Sequence, residues 1–172
     1  MPAVTLPPEP LGAALRRRPL IIVLVGLPGS GKSTWAREQD LPVLSSDAVR
    51  GLLADDETNQ TIHPRVFATL RFLLRQRLAV GRKVTCIDAT HLTPDERRPY
   101  IDIARRYGCR IEAVLFDTPI DVCKERNRLR RRIVPDHVID TMSAKLVPPR
   151  RAEGFSAIRV IRHAGRPVFA AP

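Results

Sequence analysis

Gly26, Gly31, Lys32 and Ser33 fall in the spacing G-x-x-x-x-G-K-[ST] within Gly26-Leu-Pro-Gly-Ser-Gly-Lys-Ser-Thr34. These residue types suit a polyphosphate. Backbone N–H groups can wrap phosphate oxygens only where side chains leave room, and Gly29 and Gly31 leave it. Lys32 adds an ammonium for the outer phosphates, and the Ser33 hydroxyl is suited to holding Mg²⁺. Gly29, Ser30, Gly31, Lys32, Ser33 and Thr34 are therefore the residues expected to bind a nucleoside triphosphate, ATP or another NTP.

Three further groups fit transfer of a phosphoryl group. Asp47 and Arg50 stand at D-x-x-R spacing, about one helical turn apart on one face. An acceptor hydroxyl needs such a pair, a carboxylate to take its proton and a cation to hold a neighbouring phosphate. An N-capping aspartate with an i,i+3 salt bridge gives the same pattern. Asp88 follows the apolar run Val84-Thr-Cys-Ile87 and is the candidate partner of Ser33 at Mg²⁺; a turn aspartate at a strand end is the other reading. Glu125-Arg-Asn-Arg-Leu-Arg-Arg-Arg132 concentrates arginines that would repel one another as a plain solvated helix face. An arginine-rich lid closing over transferring phosphate explains the density, and a solvated basic helix is the alternative.

The elements that must position these groups can be read from periodicity and punctuation. Leu20 to Val25 predicts a strand, and Ser33 toward Gln39 a helix. Pro42 breaks the chain before a short strand, Val43 to Ser45, and Ser46 or Asp47 can cap a helix through Leu53. Asp55-Asp-Glu57 reads as a solvated loop. Val66, Leu70, Leu73, Leu74 and Leu78 recur at helical spacing from Pro64 to near Gly81. Val84 to Ile87 reads as a buried strand, and Pro94 to Tyr107 as a helix capped by Thr93 and stopped by Gly108. Arg110 to Phe116 is a strand closed by Asp117, and a helix opening at Pro119 runs into the arginine cluster. Pro135 restarts the chain for a helix through Lys145, and Ile158 to Ile161 is a last strand.

Strands alternating with helices, and apolar on both faces, predict an α/β fold with a central parallel sheet of about five strands flanked by helices. In such sheets ligands sit at the carboxyl ends of strands, where the phosphate loop, Asp47, Asp88 and Asp117 all fall. Residues 1–18, with Pro7-Pro8-Glu-Pro10 and Arg16-Arg-Arg18, read as a loose basic arm, residues 19–164 as the domain, and residues 165–172 as a tail.

The 172 residues carry a formal net charge of +11, with a pI near 10.9, mostly from arginine. A polyanionic partner accounts for such a balance, and so does an arginine-rich proteome. Cys86, Cys109 and Cys123 show no C-x-x-C pair and read as buried thiols of a reducing compartment. His63, His91, His137 and His163 form no metal spacing. The longest apolar run is far short of a membrane span and Met1-Pro-Ala-Val-Thr lacks signal-peptide order, so a cytoplasmic protein with no membrane partner is expected.

From about Leu20 to Phe155 the sequence resembles the 5′-kinase module of bacterial and phage polynucleotide kinase-phosphatase end-healing enzymes, which are P-loop kinases. Gly29-Ser-Gly-Lys-Ser-Thr-Trp-Ala, Ser45-Ser-Asp-Ala-Val-Arg-Gly-Leu, Asp55-Asp-Glu, Asp88-Ala-Thr, Glu125-Arg-Asn and Gly154-Phe155 carry the resemblance. It implies ATP- and Mg²⁺-dependent phosphorylation of a 5′-hydroxyl DNA or RNA end. Position by position, Lys32 and Ser33 would hold phosphates and metal, Asp47 would be general base, and Arg50 would grip the acceptor's 3′ phosphate. Arg126 and Arg130 would serve the donor phosphates from the lid, and Asp88 matches an acidic position. At 172 residues the chain is expected to be too short for the phosphatase and ligase modules that usually accompany this kinase. Thr58 to Arg75, where acceptor recognition would be built, offers only Phe67 and Phe72 to stack on a base, and both also fit a core stripe. Two alternatives share the donor site: a kinase of a small molecule such as a nucleoside, sugar or antibiotic, and a nucleotide-binding switch without transfer.

Overall fold

The structure, a computed structural model, describes residues 18–130 and 132–162. The expected arm, apart from Arg18, lies outside the described residues, as do the tail at 165–172, His163 and Arg131. In chain order the elements are β1 (Leu20–Val25), α1 (Lys32–Glu38), β2 (Val43–Ser45), α2 (Ser46–Ala54), α3 (His63–Ala79) and β3 (Val84–Asp88). There follow α4 (Pro94–Arg106), β4 (Arg110–Asp117), α5 (Ile120–Arg128), α6 (Asp136–Lys145), a 3₁₀ turn (Arg151–Glu153) and β5 (Ala157–Arg162).

All neighbouring strands pair in parallel, in the order β2-β3-β1-β4-β5. Parallel pairing requires crossovers, and the crossover helices cover both faces of the sheet. β1 shows why its sequence is apolar throughout. Ile21, Val23 and Val25 face a core that includes Leu74 of α3 and Tyr100, Ile101 and Ile103 of α4. Ile22 and Leu24 face the other side, with Ala36 of α1, Cys86, Val114 and Phe116. Each of these fully buried aliphatic side chains contributes about 2 kcal/mol through removal from water. Strand order is what builds the site: the ends of β2, β3 and β1 lie side by side, so residues distant in sequence converge at one edge of the sheet.

A second tie closes the far part of the chain. Arg97 on α4 is wholly buried, and its guanidinium donates to both Glu153 carboxylate oxygens at 2.8 Å and to the carbonyls of His91, Leu92 and Val147. Five acceptors satisfy a group that would otherwise be very costly to bury. Gly154 follows with φ 122°, and a Cβ there would meet Ile101 Cγ2 at 2.8 Å, so the chain passes close over α4 before Phe155 enters the core.

Four expectations need correction. The cap of α2 is Ser45, whose hydroxyl accepts from Ala48 N–H at 3.5 Å; Ser46 and Asp47 lie within its first turn. α5 stops at Arg128 instead of running through the arginine cluster, because Asn127 turns the chain: its Nδ2 donates to the Val134 carbonyl at 2.7 Å and its Oδ1 accepts from Val134 N–H at 3.1 Å. Phe72 is 51 % exposed, on the side of α3 opposite Val66, Leu70 and Leu74, so it belongs to no core stripe. Cys109 is partly exposed, whereas Cys86 and Cys123 are buried and their thiols are pushed up by burial to about 12 and about 11. Among the described residues no helix is long and apolar enough to cross a membrane.

Candidate active site

The phosphate-loop residues occupy the turn from β1 to α1, and three contacts set its shape. Gly26 N–H donates to the Thr90 carbonyl at 3.0 Å, which hangs the loop on the chain after β3. Thr118 Oγ1, just past β4, donates to the Ser30 carbonyl at 3.1 Å. Gly29 has φ 80°, and a Cβ there would lie 2.2 Å from the Cys123 carbonyl oxygen of α5. Only glycine meets both the left-handed backbone and the close approach.

Lys32 is buried at the start of α1. Its Nζ donates to the carbonyls of Gly26 at 2.8 Å and Leu27 at 2.7 Å, which aims the ammonium back over the loop. Burial lowers its pKa to about 8, against the attraction of Asp88. An ammonium this poorly solvated is strengthened by any added anion, because it has little water to give up.

One residue on, the Ser33 hydroxyl donates to Asp88 Oδ2 at 2.6 Å. The pair exists because β1 and β3 are adjacent, so their following residues meet. A hydroxyl and a carboxylate are hard oxygen donors, the chemistry Mg²⁺ takes when phosphate oxygens and water supply the rest of its shell. The residues present therefore fit that cation.

Asp47 stands at the end of β2, in the first turn of α2. Its Oδ1 accepts from Arg50 Nη1 at 2.9 Å, so the i,i+3 spacing does bring carboxylate and guanidinium together. Arg132 Nη1 also donates to Oδ1, and Arg130 Nη2 stands 3.8 Å from Oδ2. Arg50 is 2 % exposed, and its Nε is buried without a partner. Burial and the neighbouring Arg132 lower its proton affinity. Three guanidiniums thus face one carboxylate at the sheet edge that also carries the loop.

The structure brings together Lys32, Ser33, Asp88, Asp47, Arg50 and Arg130, the last reaching the site from the segment after α5. Arg126 is partly exposed on α5, which packs on the loop through Cys123, and Thr34 is exposed on α1. Asp117 is exposed and pairs with Arg162 at 3.5 Å, outside the group. Phe67 is partly buried against Val49, Val66 and Leu70, with its ring 4.6 Å from that of His63. The sequence offered Arg132 only as part of the arginine cluster and Asn127 only within Glu125-Arg-Asn, and it gave no reason to single out Thr118. Nothing in the local pattern marks Asn127 as buried, and its clamp on the Val134 backbone is visible only in the fold.

A family model described as an AAA domain matches residues 21–149 of this chain. The bifunctional polynucleotide phosphatase/kinase of Schizosaccharomyces pombe is 24 % identical over 146 residues, covering 82 % of this chain. The chain spans about a third of the length of that relative. Kti12 of Chaetomium thermophilum, solved with ADP-AlF3, superposes with a TM-score of 0.66 at 17 % identity, over 86 % of this chain and 91 % of that one. A gluconokinase from Sinorhizobium meliloti 1021 gives a TM-score of 0.55 at 22 % identity, over 87 % and 86 % of the two chains.

Proposed function

The chain belongs to the AAA domain family and is a P-loop kinase of that type, and on this premise we propose that it moves the γ-phosphate of ATP onto a 5′-hydroxyl end of DNA or RNA. The observation that carries the proposal is the Asp47 carboxylate held among Arg50, Arg130 and Arg132 on the edge that bears the phosphate loop. A nucleotide switch needs no such carboxylate beside its donor site, whereas a hydroxyl acceptor does.

In the proposed reaction Asp47 takes the proton of the 5′-hydroxyl, whose oxygen attacks the γ-phosphorus as the bond to the β,γ-bridging oxygen breaks. The backbone of Gly29 to Ser33 and the Lys32 ammonium hold the polyphosphate. Ser33 and Asp88 would hold Mg²⁺, which would neutralise charge on the donor phosphates. Arg50 holds an acceptor phosphate beside the hydroxyl. Arg126 and Arg130 serve the donor from the arginine-rich segment, the proposed lid, as charge develops on the transferred group. Polynucleotide as acceptor draws on the fungal relative and on the net charge of +11.

A small hydroxyl acceptor is the second reading, favoured by the gluconokinase, whose chain this one matches over nearly its whole length. The deciding assay transfers labelled γ-phosphate from ATP with Mg²⁺ to 5′-hydroxyl DNA and RNA oligonucleotides, with ATP hydrolysis measured alongside. End label that is lost in Asp47→Ala supports the first reading. ATP turnover without end label transfers the proposal to a small acceptor.

A further inference from the structure

The stretch around α3 carries charge of one sign only. No residue from Thr58 to Ile87 is acidic, and Arg65, Arg71, Arg75, Arg77, Arg82 and Lys83 supply +6 of the chain's net charge of +11. A solvated helix ordinarily offsets its arginines with carboxylates three or four residues away, and α3 has none. Among the described residues no carboxylate stands within salt-bridge distance of Arg65, Arg71 or Arg75. Arg77 is committed to the fold, donating to Thr85 Oγ1 at 3.0 Å and to the Val84 carbonyl at 3.2 Å.

Phe72 stands among these cations and outside the core. Val66, Leu70 and Leu74 take the buried side of α3, and Phe72 occupies the opposite side, half in solvent. Arg65, Ala68 and Gln76 share that outer face at helical spacing, with Arg75 at its margin. A helical side chain leans toward the N-terminus, so the Phe72 ring leans over the turn of Ala68, whose methyl is too small to cover it.

The surroundings of that ring select its occupant. A second copy of the chain docking here would set arginines against arginines. A single-stranded polynucleotide brings phosphates for the guanidiniums and an unpaired base whose face can stack on the phenyl ring. A duplex keeps its base faces inside its own stack. The helix also starts in the right place, because Phe67 in its second turn packs against Val49, the residue before Arg50. Phe72 lies about 8 Å further along the axis. A strand whose 5′ end lies at Asp47 thus reaches it within a few nucleotides.

We propose that the outer face of α3 is a track for the single-stranded part of the acceptor, with a base stacked on Phe72 and neighbouring phosphates on Arg65 and Arg75. The track lies apart from the Asp47 and Arg50 pair and acts on binding of long acceptors alone. This inference rests on the reading of a polynucleotide as acceptor.

The test measures transfer from ATP to oligothymidylates with 5′-hydroxyl ends, one of two nucleotides and one of eight. Wild type should show the lower KM for the longer acceptor. Phe72→Ala should raise that KM by about tenfold and leave kcat and the KM of the dinucleotide unchanged. Phe72→Trp should behave as wild type and Phe72→Leu as Phe72→Ala, since leucine keeps the apolar contact but offers no ring. Arg75→Gln should lower the slope of log KM against log salt by about 0.7 for the longer acceptor, the loss of one phosphate contact. Full activity of Phe72→Leu on the longer acceptor, or an equal loss on both acceptors, overturns the proposal. So does sedimentation of wild type as a dimer that Phe72→Ala separates, which would give the face to a second copy. If wild type labels both acceptors and Phe72→Ala matches it on each, the track falls and the polynucleotide reading stands. If wild type labels neither, the polynucleotide reading fails and the track with it.

Discussion

The Ser33 hydroxyl donates to Asp88 Oδ2 at 2.6 Å across 55 residues of chain, joining the start of α1 to the end of β3. Asp88→Ala leaves that hydroxyl without its acceptor and removes one of two hard oxygen donors. The Mg²⁺ concentration needed for half-maximal ATP binding should rise by about tenfold. Trp35, the single tryptophan, lies two residues after Ser33 and packs edge-on against Phe116 at 5.8 Å, so its fluorescence can report the titration. An unchanged midpoint would remove Asp88 from the metal site.

Gly29→Ala adds a Cβ 2.2 Å from the Cys123 carbonyl oxygen at a residue with φ 80°. Backbone on both sides cannot yield cheaply, so the loop should shift and ATP binding weaken by an order of magnitude or more. Gly81→Ala is the matched comparison, with φ 77° and nothing within 4 Å of the new Cβ. It should lose only about 1 kcal/mol in a urea titration, the cost of left-handed backbone, and keep ATP binding. Equal behaviour of the two variants would mean that strain, not the α5 contact, shapes the loop.

Glu153→Ala strands the buried Arg97 guanidinium, which donates to both Glu153 oxygens at 2.8 Å. Removing one partner of a buried pair costs about 3–5 kcal/mol. In a chain of this size each kcal/mol lowers Tm by about 2–4 °C, so a fall of roughly 6–20 °C is expected by calorimetry. Arg97→Met removes the charge together with its partners' need for it and should be the milder change. The reverse ranking would show that the carbonyl contacts to His91, Leu92 and Val147 outweigh the ion pair.

His91 sets a pH dependence of folding. Its Nδ1 sits 2.8 Å from the Leu24 carbonyl, so Nδ1 carries the proton, and Nε2 is buried without a partner. Burial lowers its pKa from 6.5 to about 4. Between those values the unfolded chain binds a proton that the folded chain does not, so stability falls as pH falls. From pH 7 to pH 5 the loss from this one group is about 2 kcal/mol. His91→Gln should be less stable at pH 7 and should flatten this part of the curve, measured as urea midpoints at both pH values. A slope equal to that of wild type would mean that another group carries the acid sensitivity.

Much of the candidate site is legible in the sequence. The loop from Gly26 to Thr34 makes its own backbone geometry from contiguous residues, and Asp47 meets Arg50 because three residues make nearly one turn of helix. The strand at Leu20 to Val25 follows from a β-branched apolar run that must be covered on both faces. The stop of α5 at Arg128 was not readable, because it depends on Asn127 reaching a backbone seven residues on. Arg97 was also hidden, since Pro94-Asp-Glu-Arg-Arg98 has the composition of an exposed helix start.

The sequence by itself therefore determined the chemistry available: a phosphate loop, carboxylates at strand ends and a store of arginines. Tertiary structure alone decided which of these meet. Alternating strands and helices leave strand order open, and the order β2-β3-β1-β4-β5 is what sets Asp88 beside Ser33 and Asp47 on the same edge. Arg132 reaches Asp47 from 85 residues away for a similar reason. Local pattern encodes the face on which a side chain lies, whereas its partner across the fold is chosen by packing of the whole sheet and its helices.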